Sequence, residues 1–180
     1  MQKFAYSSLL LVLFIALAHG SSIKGVVVGV SDGDTLTILD DSKEQHKIRL
    51  AKIDAPETAQ SFGNVSKQNL SKLCYKKNAT AEVETVDRYR RKVATVYCDE
   101  VEVNLEQVKA GLAWVYRKYT DDEQYYEAEK MAKSQKRGIW SLDNLMPAWE
   151  YRRSKKDTKK AQQQKKDPSE SGHKYKKNNL

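Results

Sequence analysis

The sequence predicts an α+β domain, a small β-barrel with three helices packed on one side. Three observations carry that expectation. Short β-branched runs, separated by Asp-Gly and polar turns, recur in both halves of the chain. Two other stretches, around residues 62–74 and 121–138, have apolar side chains at helical spacing. The 180 residues suffice for one domain with a proper core once the two ends are set aside.

In chain order, Ile23 to Val30 reads as a strand, and Asp32-Gly-Asp-Thr35 turns it back into Leu36 to Leu39. Asp40 to Gln45 is a polar connection into a third strand, His46 to Ile53, whose Ile48, Leu50 and Ile53 build a wall. This meander delivers Asp34 from its first turn, and Arg49 and Asp54 from its third strand. Pro56 has a fixed φ and no N–H, so it ends that strand on a stiff turn. Phe62, Val65, Asn69, Leu70, Leu73 and Cys74 then follow a 3.6-residue period. Ala79 to Val86 and Lys92 to Cys98 alternate as strands around the turn Asp87 to Arg91. Asn104 is placed to cap a short helix from Leu105 to Ala110, which Gly111 stops. Leu112 to Tyr119 is extended and aromatic, and Asp121 and Asp122 open a longer helix ending at Gly138. Ile139 to Trp149 closes over the core.

The two ends differ from this middle. Residues 1–20 have Lys3, an apolar run from Leu9 to Ala18, and Ala18 and Gly20 as a small-x-small site before Ser21. The run is shorter than the roughly 20 residues that span a bilayer, so it reads as a cleavable export signal. Residues 21–151 form the barrel domain. From Arg152 to Leu180 there are 11 Lys/Arg against 3 Asp/Glu, which leaves 21 of each in the rest of the chain. The whole net charge of +8 therefore lies in a tail, expected to be disordered, whose Lys, Gln, Ser and Asn cannot bury a core. It is either a salt-sensitive polyanion binder or a solubilising extension. Cys74 and Cys98 have no metal-ligand spacing, and in an oxidising compartment they are expected to pair. Closing that loop of roughly 25 residues would add ~3 kcal/mol; free buried thiols are the alternative.

The chemistry gathers in three places. Asp34, Asp54 and Glu57 stand on turns beside apolar strands. Such carboxylates raise one another's pKa unless a cation lies between them, and oxygen ligands suit Ca²⁺ or Mg²⁺ better than zinc or copper. Asp87-Arg-Tyr-Arg-Arg91 crowds three guanidiniums into one hairpin turn. This is either a solvated tip or, if a barrel brings it beside Arg49, half of a bidentate phosphate clamp. Trp114, Tyr116 and Tyr119 are core, rim, or a stacking surface for bases.

Taken in register, Asp32-Gly-Asp-Thr35, Arg49-Leu with Asp54-Ala-Pro-Glu-Thr58, Asp87-Arg-Tyr-Arg-Arg91 with Ala94, Gly111-Leu-Ala113 and Gly138-Ile-Trp140 resemble the staphylococcal (micrococcal) nuclease family from about Ile23 to Trp149. The resemblance implies an OB-fold, a five-stranded barrel with three helices, and Ca²⁺-dependent hydrolysis of DNA and RNA to 3′-phosphate products. Carried over position by position, it implies Asp34, Asp54 and the main-chain oxygen of Ala55 as metal ligands. Glu57 would act on the attacking water, and Arg49 and Arg91 would hold the scissile phosphate. Arg88 and Tyr89 would touch a neighbouring phosphate. Ala55 stands where the family usually has Thr, and Arg90 where it has Gly. Arg117 falls at a base-stacking Tyr, so nucleotide contacts pass to Tyr116, Arg117 or Tyr119. The implied protein is an exported monomer, periplasmic or secreted, with nucleic acid as substrate and no membrane association after signal cleavage. The competing expectation is a barrel that only binds nucleic acid or a protein partner. All five side chains Asp34, Arg49, Asp54, Glu57 and Arg91 are present, which favours the enzyme.

Overall fold

A computed structural model describes residues 21–166; the expected signal at 1–20 and the end of the tail lie outside them. Three antiparallel strands, β1 (Ser22–Val30), β2 (Thr35–Leu39) and β3 (Gln45–Leu50), form the expected meander. A hairpin follows, β5 (Asn78–Val86) and β6 (Lys92–Cys98); β5 pairs with β1, and β6 lies parallel to β3. That last pairing closes the barrel. Register shifts between Val27 and Gly29 and between Val83 and Thr85 put an extra residue into β1 and β5, and such bulges bend a sheet enough to curl it. Val27, Leu36, Ile38, Ile48, Leu50, Ala81, Ala94 and Val96 alternate inward and are fully buried.

The third strand ends earlier than expected. After Leu50 the Ala51 N–H donates to Ala94 O, and Lys52 turns with a φ of 66°. Asp54 therefore leaves β3 for a separate strand, β4 (Ile53–Asp54), paired with β8 (Trp114–Val115). A two-residue strand β7 (Val101–Glu102) extends the β6 edge.

Helices α1 (Gly63–Cys74), α2 (Val103–Lys109) and α3 (Glu123–Ser134) pack on the barrel and on one another. Leu70, Val103, Val108 and Tyr125 are their fully buried anchors; truncating Leu70 to Ala would cost about 2–5 kcal/mol. Asp122 caps α3 by accepting from the Gln124 N–H, and Gly111 ends α2 at a φ of 66°. Cys74 and Cys98 are joined, tying the end of α1 to the end of β6. Asn104 is not a cap: it lies inside α2, fully buried. Its side chain accepts from Val96 N and donates to Ala51 O and Ala94 O, pinning the helix to the strands below.

A fourth helix replaces part of the expected disorder. α4 runs from Ala148 to Lys166, so residues 152–166 are helical. The Pro147 carbonyl accepts from Tyr151 N and starts the helix. Its first turn is held by an apolar cluster in which Trp114, Ile139 and Ala148 are buried and Phe62, Trp140, Leu145 and Trp149 pack around them. Trp149 lies parallel to Tyr116, with centroids 5.9 Å apart, and edge-on to Trp114 at 6.0 Å. Among the described residues no helix is long and apolar enough to cross a membrane.

Candidate active site

The Asp34 turn is clamped from below. A Cβ on Gly33 would stand 1.9 Å from Ser66 Oγ and 2.8 Å from the Ala55 Cβ, so only glycine lets the turn rest on α1. The buried Gln107 amide donates to Gly33 O at 2.6 Å and to Ser66 O at 3.1 Å. With the turn held, Asp34 N donates to Asp32 Oδ1, an Asx turn. The Asp34 carboxylate accepts from Thr35 Oγ1 at 3.0 Å and from Ala55 N at 3.1 Å. One acid thus links the first hairpin to the Asp54–Ala55 segment.

Arg49 lies opposite Thr35 in the β2–β3 register. Its Nη2 is 3.0 Å from Asp54 Oδ1 and 3.5 Å from Asp34 Oδ2, so the two buried acids converge on one point. Burial raises the Asp54 carboxyl above its ordinary range; the Arg152 hydrogen bond opposes the rise and the charge of Asp34 adds to it. Asp32 is pushed up to about 6, first by burial and then by Asp34. Glu57 stands just beyond, its N–H donating to Gln60 Oε1 at 2.9 Å. A Cβ on Gly63 would lie 2.0 Å from Glu57 O, which sets how closely that loop approaches α1.

The Arg91 turn reaches the same place. Burial alone would raise the Asp87 carboxyl, but hydrogen bonds from the Arg91 backbone and guanidinium and from Tyr89 N bring it below the usual range. Asp87 thereby braces the hairpin, and Arg90 sits at a φ of 64°, the left-handed region. Arg91 Nη1 then lies 3.4 Å from Thr35 Oγ1, the hydroxyl that donates to Asp34. Arg88 and Tyr89 stay outside on the exposed tip, where Arg88 donates to the Tyr89 hydroxyl at 2.8 Å. Tyr116, Arg117 and Tyr119 are already engaged within the fold. Trp149 covers one face of Tyr116, and Tyr119 meets its edge at 4.8 Å. Arg117 pairs with the buried Glu129 at 2.8 Å and lies over Tyr126. Tyr119 keeps an exposed ring.

Sequence reasoning missed Arg152. From the second turn of α4, its guanidinium donates to Asp54 Oδ2 at 2.7 Å, Asp54 Oδ1 at 3.2 Å and Glu57 Oε1 at 2.8 Å. It stands 98 residues from Asp54 in the chain and was grouped with the basic tail. The available signal was Pro147 followed by Trp149 and Tyr151, a helix start with aromatic anchors immediately before the lysines. Thr35, which bridges Asp34 and Arg91, and Asp32 also belong to the cluster.

The donor set suits a hard divalent cation. Asp34 and Asp54 are buried carboxylates that meet at one point, and burial raises the Asp54 carboxyl, an effect that a cation beside it would oppose. Another trio, Asp40, Glu44 and His46, also brings its ligand atoms within 4.8 Å of one another. It lies three residues further along the β2–β3 ladder, about 10 Å from Arg49. Hydrogen bonding already accounts for it: His46 Nε2 is 2.7 Å from Asp40, and Lys92 Nζ is 2.7 Å from Nδ1.

Comparison with known proteins places the chain in a family. The family model for staphylococcal nuclease homologues matches residues 47–142. An uncharacterized endonuclease of Haemophilus influenzae is 42% identical over 157 residues, covering 86% of this chain and 88% of its own. A micrococcal nuclease of Shigella flexneri is 35% identical, covering 81% and 90%. Protein ParB of Escherichia coli is 32% identical over 155 residues, covering 80% and 87%. With the barrel closed as described and the match extending over more than half its length, the chain belongs to the staphylococcal nuclease family and is a nuclease.

Proposed function

We propose that the protein is an exported, Ca²⁺-dependent nuclease that hydrolyses phosphodiester bonds of both DNA and RNA, acts as a monomer and leaves 3′-phosphate ends. The observation that carries this reading is the convergence of Asp34, Asp54, Arg49 and Arg91 around Thr35 at one end of the barrel. Export rests on the leader-like residues 1–20 and agrees with the Cys74–Cys98 disulfide.

Attack on a phosphodiester builds negative charge on its non-bridging oxygens. Ca²⁺ held by Asp34, Asp54 and the Ala55 carbonyl would supply positive charge beside that phosphate. Arg49 and Arg91 provide two forked donors for its oxygens. The Glu57 carboxylate, the most exposed acid of the set, takes the proton from the attacking water once Arg152 yields it. Arg88 and Tyr89 hold the next phosphate from the hairpin tip, and the exposed ring of Tyr119, with Tyr116 edge-on to it, faces the base. His46, the one described histidine, is tied up at the far end of β3. Charge stabilisation therefore falls to the arginines and the cation.

The test uses purified protein with plasmid DNA or structured RNA, in Ca²⁺ or in EDTA, followed by end-group analysis. Degradation of both in Ca²⁺ alone, with 3′-phosphate ends, supports the reading. Binding without cleavage in Ca²⁺ would make the barrel a binding module, and full cleavage in EDTA would remove the metal.

A further inference from the structure

Helix α4 has two unlike faces. With 3.6 residues per turn, Lys155, Lys156, Lys159 and Lys160 fall within about 80° of Arg152 around the helix axis, whereas Arg153 falls about 100° away and Glu150 and Asp157 about 140–160° away. The basic face is the one turned to the pocket. Together with Tyr151, Arg152, Gln163 and Glu57 these lysines line an open groove of about 470 Å³. Its single acid, Glu57, is already held by Arg152. Among the described residues none of the four lysines enters an ion pair. A helix that merely kept the chain in solution would have no reason to sort its charges, or to start them at two active-site carboxylates.

We propose that this face of α4 is a track for the sugar–phosphate backbone of a polynucleotide strand, continuing from the scissile phosphate along the groove. The proposal rests on the nuclease reading of the pocket. Arg152 stands at the junction, and the aromatic clamp on Trp149 aims the helix. From Arg152 to Gln163 the track extends about 16 Å along the helix, long enough to meet several successive phosphates of one strand. Lysines suit this role because they attract phosphate as point charges without selecting a base.

The test compares the full chain with a K155Q/K156Q/K159Q/K160Q variant; Gln matches Lys in helix propensity, so the helix is kept. Binding of a fluorescein-labelled 20-nucleotide single strand is followed by anisotropy in chelator across NaCl concentrations. Each phosphate contact contributes about 0.7 to the slope of log K against log salt, so the variant slope should be shallower by about 3, and a K159Q/K160Q variant by about half that. In Ca²⁺ the quadruple variant should show a raised KM on long DNA, while turnover of a dinucleotide too short to reach the helix is the internal reference. An unchanged slope with an unchanged polymer KM overturns the track, as does equal loss on the dinucleotide and the polymer. If the unmodified protein cleaves neither substrate, the nuclease reading fails instead, and the anisotropy slopes still decide the track.

Discussion

The pocket has two walls of different construction. The barrel wall carries Arg49, 15% exposed, on a strand paired on both sides, and every acid it faces is tied to the sheet or to a clamped turn. The helix wall carries Arg152, 43% exposed, on an element held by an aromatic cluster at its first turn and by Arg152's own bonds to Asp54 and Glu57. Both guanidiniums reach Asp54. The difference teaches that one cation is part of the fold while the other is a guest of the site. On the proposed function, the preorganisation that stabilises a transition state would belong to the first wall, and adaptability toward a long substrate would belong to the second.

The comparison breaks most sharply at the barrel arginines. Arg49→Lys and Arg91→Lys should each lose about 10²–10³ in kcat, equivalent to roughly 3–4 kcal/mol, because a lysine cannot grip two oxygens. Their melting temperatures should stay near that of the unmodified protein. A lysine variant with near-native turnover would remove that arginine from the site. Gly33→Ala comes next. It forces the Asp34 turn off Ser66 and Ala55, and overpacking of that kind costs about 1–3 kcal/mol. Denaturant titration should show the loss, together with weakened metal dependence. Arg90→Gly should act in the other direction, since relief of a left-handed non-glycine residue is worth about 1 kcal/mol. An unchanged unfolding midpoint would mean that the turn is not strained.

A last effect is visible only against pH. Asp32 has a folded-state pKa raised to about 6, so it favours the protonated fold. Its contribution to stability is complete below the ordinary carboxylate pKa of 3.8 and is lost as pH rises through about 6. In chelator, Asp32→Asn should therefore gain stability over the parent between about pH 4 and pH 6 and hold the gain above that window. A difference that shrinks as pH rises would contradict the sign. Asp40 and Asp87, held low by His46 and by Arg91, work in the opposite sense in both proteins and cancel in the comparison.

Legibility followed locality. The Asp32 to Thr35 turn, the Asp87 to Arg91 hairpin, the cap at Asp122 and the stop at Gly111 were readable because turn and cap chemistry acts over a few residues. The barrel was readable from strand alternation, and Cys74 with Cys98 from compartment chemistry. Asn104 was misread because its partners Ala51, Ala94 and Val96 are up to 53 residues away, and nothing local distinguishes a cap from a buried cross-link. Asp54 was placed on the third strand because Ile53 continued its apolar pattern, whereas Lys52 turns the chain out. Arg152 was hidden by composition: averaging it with the lysines that follow erased the aromatic anchor just before it.

The most direct measurement is the melting temperature of metal-free protein as Ca²⁺ is added, for the unmodified chain and for Asp54→Asn. A ligand that binds only the folded state raises the transition by mass action. The expected result is a rise that saturates with Ca²⁺ in the unmodified protein and is absent in Asp54→Asn. No rise in the unmodified protein, or an equal rise in both, would contradict a cation site between Asp34 and Asp54.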